Sequence, residues 1–184
     1  GLSVDEVQSD TAANIRAATT QDGTAFWAAG NGPGATGGVQ YIALGALGST
    51  QVLSAPNNAR WAHVFAGQLY ASSGAVANAN VFMVGAGLPT MSGQMATTLP
   101  GLPAAQGPGP YGFALLDRNP NVAGLDTLYL ADDRAPGVDG GVGGGVQKWT
   151  FDGATWTLAT TFTDGISAGV RGLATVVTGS DVTV

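Results

Sequence analysis

His63 is the only histidine in the 184 residues, Glu6 the only glutamate, and cysteine is absent. A histidine base, a zinc centre or a catalytic triad would therefore rest on His63 alone, and thiolate chemistry is excluded. His63 lies two residues from Trp61 and two from Phe65 in Arg60-Trp61-Ala62-His63-Val64-Phe65, so the three share one face of a strand, and a packed histidine is expected. A serine nucleophile lacks the G-x-S-x-G elbow. Paired-carboxylate chemistry would need aspartates, yet Asp132 and Asp133 are adjacent and point to opposite faces of a strand.

The acidic loops carry another chemistry. Asp117, Asn119 and Asp126 fall in one, Asp132 and Asp133 in the next, and oxygen ligands at alternate positions suit Ca²⁺, the one cofactor candidate. Arg118 and Arg134 sit inside these loops, and neither loop has the calcium signature that ends in Glu. Asp and Asn bonding their own backbone in turns accounts for the same residues. Arg16, Arg60 and Arg171 each open an apolar run: IRAATTQDG, ARWAHVFAG and VRGLATVVTG. At equivalent positions on innermost strands they would ring a central channel and bind an anion; the alternative is that each pins neighbouring sheets in register. GVDGGVGGGV precedes a strand and lacks a Lys-Ser/Thr end, so it reads as a flexible hairpin tip rather than a phosphate loop. Tyr41, Trp61 and Trp156 are the aromatics that would stack on a sugar if exposed.

The elements that must position these groups are strands. Thirty glycines, 45% hydrophobic and 10% charged residues describe many short apolar runs joined by tight turns, an all-β composition. Six basic residues, scattered singly, stand against twelve acidic ones, so no stripe of cations exists for nucleic acid. The longest apolar runs fall short of the roughly 20 residues needed to cross a bilayer as a helix, and no signal leader opens the chain.

Three phrases recur in a constant order. An Arg-led run precedes the aromatic strands TAFWAAG and QLYASSG, whereas in the third unit YGFALLDRNPNVAGLD, with no Arg at the matching place, precedes TLYLADD. A third strand follows, GGVQYIAL, NANVFMVG or GGVQKWTF, and a short fourth closes the unit, such as TQVLS or TWTLATTF. Four short strands per unit, at a period of about 40 to 50 residues, describe β-propeller blades. The units run approximately over 13–54, 57–100 and 109–165, with an incomplete one at 169–184. That is about 3.5 blades of a propeller expected to hold about 6 to 8. Asp152-Gly153 and Asp22-Gly23 supply the positive φ of hairpin turns. The missing strands are expected from the rest of a longer parent chain or from another subunit, with residues 1–12 as one further source. A closed four-bladed ring is the alternative.

The succession NIRAATTQDGTAFWAAG, GGVQYIALG, FAGQLYASSG, GPYGFALLDR, DTLYLADD, GGVQKWTFDGATWTL and GVRGLATVV resembles a family of bacterial secreted or surface-anchored repeat proteins with propeller repeats. The resemblance covers nearly all of residues 13–184 and implies flanking repeats and an extracellular or cell-surface setting. It carries over no catalytic residues.

The expectation is a non-enzymatic scaffold that binds a protein, glycan or matrix partner through the loops 117–126 and 132–145. The alternatives are a lactonase-like hydrolase with a metal in its channel, and a structural subunit of a surface assembly.

Overall fold

The computed structural model describes residues 14–75, 80–103, 109–138 and 143–184; residues 1–12, read above as a source of a missing strand, lie outside them. The architecture is all-β, with fourteen strands in four antiparallel sheets among the described residues. The chain forms two compact units, the first built from residues up to Thr98 and the second essentially from Gly107 onward together with Leu99–Pro103.

The first unit holds two four-stranded meanders. One consists of β1 (Asn14–Thr20), β2 (Ala25–Asn31), β3 (Gly38–Ala43) and β4 (Thr50–Leu53). The other consists of β5 (Ala59–Phe65), β6 (Gln68–Ser73), β7 (Asn80–Val84) and β8 (Ala96–Thr98). Each strand pairs with the next in sequence, because the tight turns between them leave no length for a crossover. Their alternating apolar residues meet face to face. Trp27, Val39, Val52 and Leu53 of the first sheet share one core with Ala62, Leu69, Phe82 and Val84 of the second, all nearly or fully buried. A single four-stranded meander has two faces to hide, and stacking is what hides one of them here.

The second unit repeats the meander with β9 (Pro110–Leu116), β10 (Thr127–Asp132), β11 (Gly145–Phe151) and β12 (Trp156–Phe162), followed by a hairpin of β13 (Val176–Thr178) and β14 (Asp181–Thr183). The Arg-led phrase at 170–179 forms a strand only over its last residues. Its first part is held elsewhere: the Val170 N–H donates to Asp132 O at 2.9 Å, and the Gly112 N–H donates to Arg171 O at 3.0 Å.

The phrase GGVQ, written at 37–40 and 144–147, makes the same structure twice. Gly38 and Gly145 open the third strand of their sheets with φ of 72° and 74°. A Cβ at Gly38 would fall on the Leu53 carbonyl oxygen, and one at Gly145 on that of Phe162, so glycine lets the fourth strand close on the third. The following glutamines are buried and bonded: Gln40 Nε2 donates to the carbonyls of Ala35 and Gly37, and Gln147 Nε2 to the Asp132 carboxylate.

Candidate binding surfaces

The recurring arginines have a backbone cause. In β1 the pairing with β2 slips between Ile15 and Ala17, and in β5 the pairing with β6 slips between Ala59 and Trp61. Arg16 and Arg60 are the extra residues of these two bulges, and a bulge re-aims the side chain it carries. Arg16 Nη1 donates to the side-chain oxygen of Asn58, which leads into β5, so this arginine ties the first sheet to the second. The Arg60 guanidinium lies across Gly74, where a Cβ would crowd Nη2 at 2.7 Å. In the second unit β9 is bulged against β10 around Tyr111 and Gly112. Arg171 lies over the Tyr111 ring, 5.1 Å from its centroid, and grips Asp133 with two bonds of 2.8 and 3.1 Å. The hydrogen bond to Asp133 raises the Arg171 pKa further above its ordinary value.

The acidic loops are organised by hydrogen-bond donors. Asp126 is buried at the end of loop 117–126, and its carboxylate accepts the N–H groups of Arg118 and Asn119 and the hydroxyl of Thr127. Asn119 Oδ1 accepts the Asn121 N–H, a local turn. Asp117 is exposed. Asp132 is buried, bound by Arg134 Nε at 2.9 Å and by Gln147 at 3.1 Å, while Asp133 is taken by Arg171. Among the described residues no three acidic or histidine side chains converge as a metal cluster would require. In a meander, successive connections alternate ends. Loop 117–126 joins β9 to β10, and the segment 132–145 joins β10 to β11, so the two regions lie at opposite ends of one sheet and do not form a single surface. Residues 139–142 of the latter lie outside the described residues.

Of the aromatics, Trp156 is buried, stacked on Phe151 at 5.2 Å, and its backbone N–H donates to Pro100 O at 2.8 Å. Tyr41 packs beside Trp27 at 5.7 Å against the core of the first unit, and Trp61 is half-buried on β5. His63, expected to be packed, is exposed, because the bulge at Arg60 leaves Ala62 as the residue facing the core. It stacks on Phe65 at 4.3 Å, and partial burial lowers its pKa.

The sequence reading missed four exposed apolar side chains on connections of the first unit. The β3–β4 turn is bonded to the β1–β2 turn, and the β7–β8 loop to strands β2 and β4. The Leu44 N–H donates to Thr24 O, the Gln94 N–H to Val52 O, and the Trp27 indole N–H to Pro89 O at 2.7 Å. Leu44, Leu47, Met91 and Met95 project from these connections into solvent, Leu47 91% exposed. The residues between them, such as Ser49, Thr50, Thr90, Ser92 and Gln94, are neutral. The only signal in the sequence was an unexplained leucine and methionine content in otherwise polar turns.

The second unit has an apolar cavity of about 380 Å³ between one face of sheet β9–β12 and the hairpin, lined by Tyr129, Val146, Phe162, Ile166, Val182 and Val184. No helix among the described residues is long and apolar enough to cross a membrane. No family model, curated protein or solved structure matches this chain.

Proposed function

We propose that this chain is a segment of a β-propeller serving as a non-enzymatic scaffold at the cell surface or outside the cell, and that it binds a protein partner through the loop end of its first unit. Stacked meanders with a recurring third-strand phrase support the propeller reading. The observation that carries the binding reading is the set of exposed Leu44, Leu47, Met91 and Met95 on connections held by hydrogen bonds to the first sheet. Several large apolar side chains exposed on connections of one unit support a contact surface there. Unbranched methionines adapt to an apolar protein face, and the lack of charge among them avoids the cost of desolvating an ion. The donors that hold Asp126 and Asp132, and the pairing of Asp133 with Arg171, support a structural use of the charged groups.

The test is photo-crosslinking in the native cell setting. A photoreactive residue at position 47 or 91 is expected to capture one and the same polypeptide, and Leu47→Ser with Met91→Ser to abolish the capture. Position 35, in the β2–β3 connection at the other end of the sheet, is the control. Equal capture from position 35, or none from 47 and 91, would refute the reading.

A further inference from the structure

The two units, laid side by side by their strand registers, disagree at one place. Gly38 pairs with Gly30, and Gly145 with Asp132, so Trp27 of the first unit corresponds to Tyr129, Val39 to Val146, and Leu53 to Phe162. The hairpins correspond as well. Phe65 pairs with Gln68 across the β5–β6 turn, and Thr178 with Asp181 across the β13–β14 turn, which sets Leu69 against Val182 and Ala71 against Val184. In the first unit these positions are sealed: Leu53 and Ala71 are both 0% exposed. In the second unit the same positions line the cavity, with Phe162 at 50% and Val184 at 49% exposure. The difference is β7. Its Phe82 and Val84, two residues apart and fully buried, lie in one core with Trp27, Val39 and Leu53, and β7 pairs with β6 through Ala71 and Phe82.

We infer that the cavity beside β14 is the seat of an added β-strand, which pairs antiparallel with β14 and inserts two large apolar side chains at alternate positions over Tyr129, Val146 and Phe162. Main-chain bonding to the edge of β14 supplies affinity and the alternate pockets supply selectivity, the usual division in strand addition. An occupant without a backbone edge, such as a small apolar molecule, would fill the cavity and leave the N–H and C=O groups of β14 in water. An apolar helix would not present side chains at a two-residue period. The inference deepens the propeller reading and is independent of the loop-tip contact, so loss of either leaves the other standing.

The probe is a synthetic peptide carrying this chain's own residues 80–84, Asn-Val-Phe-Met-Val, between polar flanks, added to the full chain. Saturable binding is expected, with slowed amide exchange at Val182, whose N–H points away from β13, and no change at Thr183. Val184→Asp and, independently, Phe162→Ser should each weaken binding at least about tenfold, circular dichroism showing the sheets intact. Val176→Ser, on the opposite face of the hairpin, should leave it unchanged. A control peptide carrying Phe82→Ser and Val84→Ser between the same flanks should not bind. Binding of that control peptide equal to the first would overturn the inference. So would decanoate displacing the peptide without changing exchange at β14, since the seat would then be a small-molecule pocket. Self-association through β14 that the peptide cannot disrupt would assign the edge to a second copy and equally overturn it.

Discussion

Gln147 Nε2 donates to the Asp132 carboxylate at 3.1 Å inside sheet β9–β12, and the same glutamine's Oε1 accepts the Trp149 indole N–H at 3.0 Å. With Arg134 completing the set from the partly exposed side, every member of the chain of bonds is satisfied. Asp132→Ala is expected to cost about 2–4 kcal/mol in urea unfolding, because it removes the buried acceptor of the Gln147 Nε2 bond and of the Arg134 guanidinium bonds. Asp132→Asn keeps the shape and loses the charge, and should cost less. A stability equal to the parent's for Asp132→Ala would show the network to be dispensable.

The paired glycines separate two costs. Gly23 has φ of 81° with open space around its Cβ direction, whereas Gly38 and Gly145 combine positive φ with a carbonyl in the path of a Cβ. Gly23→Ala should cost about 1 kcal/mol from backbone strain alone. Gly38→Ala and Gly145→Ala should cost clearly more, and by similar amounts, since the fourth strand must move in both. Equal losses at all three positions in denaturant titrations would remove the close-approach argument.

Asp22 in the β1–β2 turn and Asp152 in the β11–β12 turn each precede a glycine and accept backbone N–H groups of their own turn. The Thr24 N–H holds the Asp22 carboxyl below its ordinary 3.8, and the N–H groups of Thr155 and Ala154 do the same for Asp152. A depressed carboxyl pKa contributes stability that is fully present above the unfolded value near 3.8 and is lost as pH falls through the folded value. Asp152→Ala should therefore lower the melting temperature at pH 6 and flatten the decline below pH 4. A variant whose melting curve keeps the parent's acid slope would show that the turn does not titrate as described.

His63 titrates with the opposite charge. Its pKa is lowered by partial burial against Phe65, so the unfolded chain takes up a proton before the folded one does as pH drops through about 6.5. Its effect is absent above that value and destabilising below it. His63→Asn should remove this part of the pH dependence between pH 5 and 7, measured by chemical denaturation. An unchanged profile would place the titration elsewhere.

Much of the meander was legible beforehand. The apolar alternation of AFWAAGN and QLYASS, the Asp-Gly turns and the repeated GGVQ are local signals, set by pleat geometry and by the φ that only glycine takes easily. The aspartates were ambiguous. Asp117, Asn119, Asp126, Asp132 and Asp133 fit calcium or turn chemistry equally on paper, and the donors that occupy Asp126 and Asp132 are backbone and side-chain groups brought in by folding. The bulges were invisible, because a one-residue slip at Arg16 or Arg60 follows from the partner strand rather than from the arginine's neighbours.

The sequence by itself determined the strand class, the order of strands and the positions of the glycine turns, since each depends on residues a few places apart. Only the tertiary structure decided which faces are covered. Leu53 and Phe162 occupy the same register position in the same phrase, and one is sealed while the other stands half in water. Burial depends on whether a neighbouring sheet brings a third strand over that position, and no residue carries that information in its own side chain.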